Sequence, residues 1–241
     1  MFSSVKNLYD IDTPNFIGAF LYGSQNYKLD TAESDKDIII LIREDDKAHR
    51  ELRASSGITK IYTIKYFLYQ LEKGDMECYE ILYTRHRLLN KIYEVAFDNF
   101  VRSFTELITI ERIKWSLGKK LYEHLSNITW IPFNYDNSKY HRKRAYWSYR
   151  VYDQLTRIIN GEMLQTTFIY NEEKRDELLK IKTVTNYLSS VNLSSDMRKM
   201  SSILAELPKS CAKLNEQESS CFSQFYNELN IIFNDSFKGE K

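Results

Sequence analysis

A short segment between two apolar stretches holds the residues best suited to chemistry. It begins with Gly-Ser at Gly23 and ends with Ser-Asp-Lys-Asp at Asp37. A Gly-Ser turn after a strand exposes backbone N–H groups, and together with the Ser hydroxyl these can bind a phosphate. Asp35 and Asp37 are two residues apart, so on a strand their carboxylates would point the same way. Such a pair predicts a site for a hard divalent cation, Mg²⁺ or Mn²⁺.

A phosphate-binding turn beside a cation site fits a nucleoside triphosphate. Ser24 and the Gly23 turn would bind the outer phosphates, while Asp35 and Asp37 would hold the cation against the same triphosphate. Metal-assisted phosphoryl transfer needs little from a protein beyond positioning and charge neutralisation. The sequence therefore predicts nucleotide binding here, with Asp35 and Asp37 as metal ligands and catalytic residues.

The same segment resembles the signature of the DNA polymerase β-like nucleotidyltransferase superfamily, Gly-Ser followed by Ser-Asp-x-Asp. More narrowly, it is similar to the RlaP-type nucleotidyltransferases associated with RNA repair, whose pattern runs Gly-Ser-x-x-Tyr-Gly-Leu and then Ser-Asp-x-Asp. Lys28 stands where that family prefers Gly. The resemblance implies template-independent transfer of a nucleoside monophosphate to an RNA end, a tRNA or a protein hydroxyl. The matching positions are Gly23, Ser24, Tyr27, Leu29, Ser34, Asp35 and Asp37, of which Tyr27 and Ser34 are thereby implied to bind nucleotide.

The resemblance continues more weakly to about residue 182, and it departs from the superfamily in one respect. Superfamily enzymes complete a two-metal site with a third carboxylate on a later strand, but residues 57–62 contain no acid. Three alternatives stay open: Glu77 or Glu80 substitutes, the site binds a single cation, or the domain has kept binding without transfer. Glu80 is a candidate catalytic residue, with a structural capping role as its alternative.

Residues 139–150 form a basic stretch interleaved with aromatic residues. Lys143, Arg150 and Arg157 are seven residues apart and would share one face of a helix. This face predicts Lys143 and Arg150 as ligands of a triphosphate or an RNA backbone, with Tyr146 or Trp147 available to stack on a base. The alternative is an ordinary solvated basic face.

The pattern of apolar residues predicts an α+β fold, with an N-terminal sheet flanked by helices and an all-helical C-terminal domain. Near-continuous apolar strands indicate a sheet covered on both faces. The predicted boundary near residue 100 separates a catalytic domain, 1–100, from a helical domain, 101–241. The predicted strands are 15–22, 37–43 and 58–62, and the predicted helices are 64–73, 104–128 as one apolar stripe, 141–160, 172–182 and 217–233.

Composition narrows the alternatives further. The 34 basic and 33 acidic residues nearly cancel, so overall charge predicts no nucleic-acid or membrane partner, and any such partner would need a local patch. No apolar run approaches the roughly 20 residues of a membrane helix, and the N-terminus lacks the features of a signal peptide. Three widely spaced Cys favour a reducing, cytoplasmic location. The rival function is a catalytically silent nucleotide- or RNA-binding module. A third possible function is a toxin-like enzyme with the same chemistry that modifies a tRNA or a host protein.

Overall fold

A computed structural model describes Val5 and residues 13–32, 34–129, 139–184, 187, 190–211 and 213–238. The contacts divide the chain into two compact units. The first unit contains the described residues of 1–26, 30–108 and 213–241, and the second contains those of 27–29 and 109–212.

The first unit contains a mixed sheet whose strands run in the order β3-β4-β2-β1-β5. The central strand β2 is antiparallel to β1 and parallel to β4, while β3 and β5 form the two edges. This arrangement, with the helices around it, confirms the predicted α+β class. The strands are β1 (Phe16–Tyr22), β2 (Asp37–Ile42), β3 (His49–Ala54), β4 (Gly57–Thr63) and β5 (Arg87–Leu89).

Both faces of the central strands are covered, as their apolar sequences predicted. Leu21, Ile38 and Ile40 lie in a buried cluster on one face, together with Val5. Residues on the other face alternate with these, and Phe20 there contacts Phe97 with ring centroids 5.0 Å apart. Asp37 and Lys60 lie on this second face, which places polar groups at one end of an otherwise apolar surface.

Nine helices are found in the described part of the chain. The first of them begins at the predicted residue, Ile64, and Thr63 Oγ1 caps it by accepting a hydrogen bond from Tyr66 N. None of the described helices has the length and apolar character needed to cross a bilayer. They are α1 (Ile64–Glu72), α2 (Met76–Tyr83), α3 (Glu94–Leu107), α4 (Ile110–Thr129), α5 (Lys139–Ile159), α6 (Leu164–Thr167), α7 (Glu172–Thr183), α8 (Ser190–Glu206) and α9 (Glu216–Lys238).

The last helix belongs to the first unit because its aromatic face packs on α3. The Phe225 ring stacks on the Phe100 ring at 4.1 Å, and the Phe222 ring lies 5.4 Å from that of Phe104. Each such aromatic pair contributes about 1 kcal/mol beyond the area it buries. The packing units therefore differ from the bounds 1–100 and 101–241, which stay predictions for functional domains.

The second unit consists of helices, and its first helix differs from the sequence prediction. The prediction of a single helix across residues 104–128 was wrong, because Ile108 has an extended backbone and ends α3. The next helix starts two residues later, with Thr109 Oγ1 accepting a hydrogen bond from Arg112 N at 3.4 Å. An apolar stripe can continue across such a break because the periodicity is kept on both sides of it.

Candidate functional site

Strand register brings the Gly-Ser turn against the Asp37 carboxylate. Tyr22, the last residue of β1, pairs with Asp37, the first residue of β2. The chain then forms one 3₁₀ turn, Gly23–Gln25, in which Gly23 has a φ of +79°. A side chain is strained at this φ, and a Cβ on Gly23 would lie 3.5 Å from Asp37 Oδ2. The turn and the carboxylate are thus neighbours, as the sequence predicted.

The two aspartates differ in their surroundings. Asp37 is half-buried, and its Oδ1 accepts a hydrogen bond from Ile58 N at 3.0 Å, which fixes the carboxylate against β4. Asp35 is exposed and lies before β2, which begins only at Asp37. The expected alignment of both acids along one strand is therefore not formed, although both remain at the same end of β2.

Glu80 supports the Gly-Ser turn from α2. Its side chain is only 4% exposed. Its Oε1 accepts hydrogen bonds from Gly23 N at 2.6 Å and from Asn26 Nδ2 at 3.3 Å, and Asn26 Oδ1 in turn accepts one from Thr84 Oγ1 at 2.8 Å. The Gly23 N–H expected to face a phosphate is therefore bonded to Glu80. This geometry gives Glu80 a positioning role, and a catalytic role stays a prediction.

The two serines of the motif have different environments. The Ser24 hydroxyl, on the half-buried turn, has no hydrogen-bond partner within the described residues, so a ligand could bond to it. Ser34 instead closes a turn with Thr31, because its Oγ accepts from Thr31 N at 2.8 Å and its N donates to Thr31 O at 2.9 Å. Ser34 thus shapes the chain just before Asp35, and nucleotide contact by either serine stays a prediction.

A lysine shares the sheet face of Asp37. The register pairs Lys60 with Ile39, two residues along β2 from Asp37. Lys60 Nζ forms an ion pair with Glu77, and although burial opposes it, this carboxylate raises the pKa of Lys60. The strand expected to carry a third carboxylate thus carries a cation, and Glu77 is paired with it. Across the residues that the structure describes, no three His, Cys, Asp or Glu side chains form a metal-ligand group.

The donor set fits a single magnesium ion better than two. Mg²⁺ is commonly bound through one or two carboxylates, with waters and substrate phosphates as its other ligands. Asp37 and the neighbouring Asp35 supply donors of that kind. Tyr22 lies close by, and burial, followed by the charges of Glu77 and Asp37, raises its pKa. The Tyr22 phenol therefore stays protonated.

Tyr27 and Arg150, two predicted nucleotide ligands, contact each other in the second unit. The Arg150 guanidinium carbon lies 4.4 Å from the centre of the Tyr27 ring. Tyr27 is buried and also contacts the rings of Phe168 and Tyr170, at 5.8 and 6.0 Å. This packing assigns Tyr27 a structural role, and a nucleotide contact by either residue stays a prediction.

Lys28 stands where the Gly-Ser-x-x-Tyr-Gly-Leu pattern has glycine, and its backbone conformation is one that favours glycine. It is exposed, and its φ of +57° is in the left-handed region, which is where glycine is favoured. Leu29 beside it is buried, and its carbonyl accepts a hydrogen bond from Lys182 Nζ at 2.9 Å. Residue 28 therefore takes a left-handed conformation between two buried residues, Tyr27 and Leu29. A lysine in this conformation lowers the stability of the folded chain relative to glycine.

The basic face of α5 is only partly available to a ligand. Arg157 bonds to Glu162 and to the carbonyls of Thr166, Thr167 and Ile169, so it stabilises the chain after α5. Lys143 lies near the start of the same helix, away from these contacts.

The aromatic residues of α5 also differ from expectation. Tyr146 is buried, so it cannot stack on a base, while Trp147 is half-buried, with Lys143 Nζ 5.2 Å from its ring. His124 was not among the predicted site residues, and its ring lies 5.3 Å from that of Trp147. Burial, followed by cations on α4 and α5, lowers its pKa to about 3. An isolated histidine gives no sequence signal of such surroundings.

Comparisons with known proteins give a distant structural likeness. No family model matches the sequence, and no curated protein matches it. Among solved structures, one match is a nucleotidyltransferase-like protein from Exiguobacterium sibiricum 255-15. It is 10% identical, the match covers 86% of this chain and 72% of that chain, and the TM-score is 0.33. A likeness at this level does not assign a function, which depends on the site residues.

Proposed function

We propose that this chain is a template-independent nucleotidyltransferase, which moves a nucleoside monophosphate from a nucleoside triphosphate to an acceptor hydroxyl. The single observation that carries the proposal is the register that sets the Gly23 turn beside Asp37. The resemblance of the segment to the Gly-Ser and Ser-Asp-x-Asp signature supports it. The acceptor is an RNA end, a tRNA or a protein hydroxyl.

Each residue of the proposed site has a separate task. Asp37 and Asp35 would hold magnesium, which when bound neutralises phosphate charge. The Ser24 hydroxyl would donate a hydrogen bond to an outer phosphate, while Glu80 keeps the turn in place. The acceptor oxygen bonds to the α-phosphorus, its proton passes to water, and the bond to the β-phosphate breaks to release pyrophosphate. Lys143 and Arg150 remain predicted phosphate ligands on α5.

The double variant Asp35→Asn/Asp37→Asn tests this proposal. Transfer from labelled nucleoside triphosphates should fall to background, while thermal unfolding stays close to that of the parent chain. The matched control is Asp46→Asn, which changes an exposed acid beyond the other end of β2 and should keep full transfer. Transfer that survives in a folded double variant would refute the assignment.

A nucleotide-binding module without transfer is the second candidate. The pairing of Lys60 with Glu77 favours it, because β4 carries a lysine where a third carboxylate was expected and Glu77 is bound to that lysine. Calorimetry with ATP and magnesium, alongside transfer assays with RNA, tRNA and protein acceptors, separates the two functions. Binding without turnover across all acceptors and nucleotides would favour the module.

A further inference from the structure

Three neighbouring aromatic side chains lie on the surface at one edge of the sheet, and two of them are stacked. His49 lies on β3, an exposed edge strand, and its imidazole stacks on the Tyr66 ring at 4.5 Å with 17° between the planes. The Tyr66 ring lies 6.4 Å from the ring of Tyr69, which is 50% exposed. These three residues, with Lys65 and Lys73, are called the stacking surface below.

Tyr62 supports the stacking surface from beneath. It is buried, and its ring meets the Tyr66 ring edge-on at 5.0 Å and the His49 ring at 6.5 Å. Edge-to-face contacts of this kind hold aromatic rings in defined orientations. The His49 and Tyr66 rings are therefore held in place before any ligand binds, which lowers the entropy cost of stacking against them.

Two exposed lysines lie at the stacking surface, and the Asp75 carboxylate lies near Tyr66. Lys65 and Lys73 are exposed, and neither forms an ion pair with any described residue. Lys73 Nζ lies 5.3 Å from the Tyr69 ring. The acids on and before β3 are neutralised by arginines, since Asp45 pairs with Arg50 and Glu51 with Arg53.

One further acid lies on the same helix. The helical periodicity places Tyr66, Tyr69 and Lys73 in one line along the exposed side of α1. Glu72 and Lys65 lie together to one side of this line. The aromatic line therefore ends in a lysine, and the exposed acid lies to one side of it.

We infer that the stacking surface binds single-stranded nucleic acid. Proteins that bind such strands combine exposed aromatic rings, on which bases stack, with cations that contact the phosphates. Tyr69 would stack on a base, His49 and Tyr66 would extend the stack, and Lys65 and Lys73 would bind phosphates. A duplex keeps its bases stacked on each other, so it should bind more weakly. The inference goes beyond nucleotide transfer, because the surface can hold a strand whose end is never modified.

Fluorescence anisotropy of the full chain with short labelled oligonucleotides tests the inference. Single-stranded RNA and DNA of mixed sequence should bind more tightly than the RNA duplex of equal length. Tyr69→Ala should weaken single-strand binding about fivefold or more, since one base stack is lost. Lys73→Gln should reduce the slope of log affinity against log salt by about 0.7, the value for one phosphate contact on a single strand.

Matched controls separate this surface from general effects. Tyr122→Ala removes an exposed tyrosine on α4, and Lys91→Gln removes an exposed lysine before α3; both should bind like the parent. Equal binding of duplex and single strand would overturn the inference, as would Tyr69→Ala binding like the parent or an absence of binding by all oligonucleotides. The folded Asp35→Asn/Asp37→Asn variant should still bind the strand, so failure of transfer and failure of this surface are distinguishable.

Discussion

The backbone N–H of Gly23 donates a 2.6 Å hydrogen bond to Oε1 of Glu80, across 57 positions of sequence. A buried carboxylate on α2 thereby fixes the turn that follows β1. The bond matters for the site because the same turn lies against Asp37. A change at Glu80 should therefore reach the Gly-Ser turn without altering either aspartate.

Glu80→Ala should destabilise the chain by about 1–3 kcal/mol, because it leaves the half-buried Gly23 N–H and the Asn26 amide without their acceptor. Glu80→Gln keeps an acceptor oxygen and should cost less. Urea unfolding measures both changes. The control Glu106→Gln alters an exposed acid on α3 and should leave stability within about 0.5 kcal/mol of the parent. Equal stability of Glu80→Ala and the parent would contradict this role.

Lys28→Gly should stabilise the chain by about 0.5–1 kcal/mol. The left-handed conformation costs an ordinary residue about 1–2 kcal/mol, which glycine avoids. The greater freedom of glycine in the unfolded chain lowers the free energy of unfolding and so offsets part of this stabilisation. Lys28→Val should destabilise the chain, since a β-branched residue is strained there. The control Lys36→Gly places glycine at an exposed lysine without positive φ and should lower stability. Thermal unfolding of the three variants gives the comparison, and a loss in Lys28→Gly would contradict it.

The sheet was predictable where its strands are buried and not where they are exposed. β2 contains five consecutive aliphatic residues, Ile38–Ile42, which mark a strand covered on both faces. β3 was missed because its sequence, His-Arg-Glu-Leu-Arg-Ala, is polar and exposed along its whole length. Its hydrogen bonds to β4, rather than its side chains, make it a strand, and such pairing leaves little trace in the sequence.

The candidate site was predictable in its local part only. The adjacency of Gly23 and Asp37 follows from two strands joined by a short segment, which is information within the motif. The distant partners were less predictable. A capping role was one alternative for Glu80, but the sequence did not indicate that it binds the Gly23 turn or that Lys60 pairs with Glu77. These contacts depend on how α2 packs on the sheet, which no local pattern encodes.

The stability of the chain should depend on pH through His124. Burial, followed by nearby cations, lowers its pKa to about 3, against about 6.5 in an unfolded chain. The unfolded state therefore takes up a proton first, and stability that is fully present above about pH 6.5 is lost as the pH falls toward 3. Between pH 7.5 and pH 5 the loss due to this group is about 2 kcal/mol.

Urea unfolding at pH 7.5 and pH 5 checks this dependence. His124→Phe removes the titrating group and should show a smaller loss of stability between the two pH values than the parent. His86→Gln, which changes a half-buried histidine elsewhere, should retain the parental loss. An unchanged pH dependence in His124→Phe would show that the imidazole is not held neutral in the folded chain.

The packing of α9 on α3 predicts that the end of the chain stabilises the sheet unit. Phe225 is buried, and its ring stacks on Phe100 at 4.1 Å and meets Phe97 at 6.1 Å. Phe225→Ala should cost about 3–5 kcal/mol, because it removes buried area and leaves a cavity between the helices. Ile231→Ala, on an exposed face of the same helix, should change stability by less than about 0.5 kcal/mol. If both variants unfold at the same urea concentration, α9 does not contribute to the core of this unit.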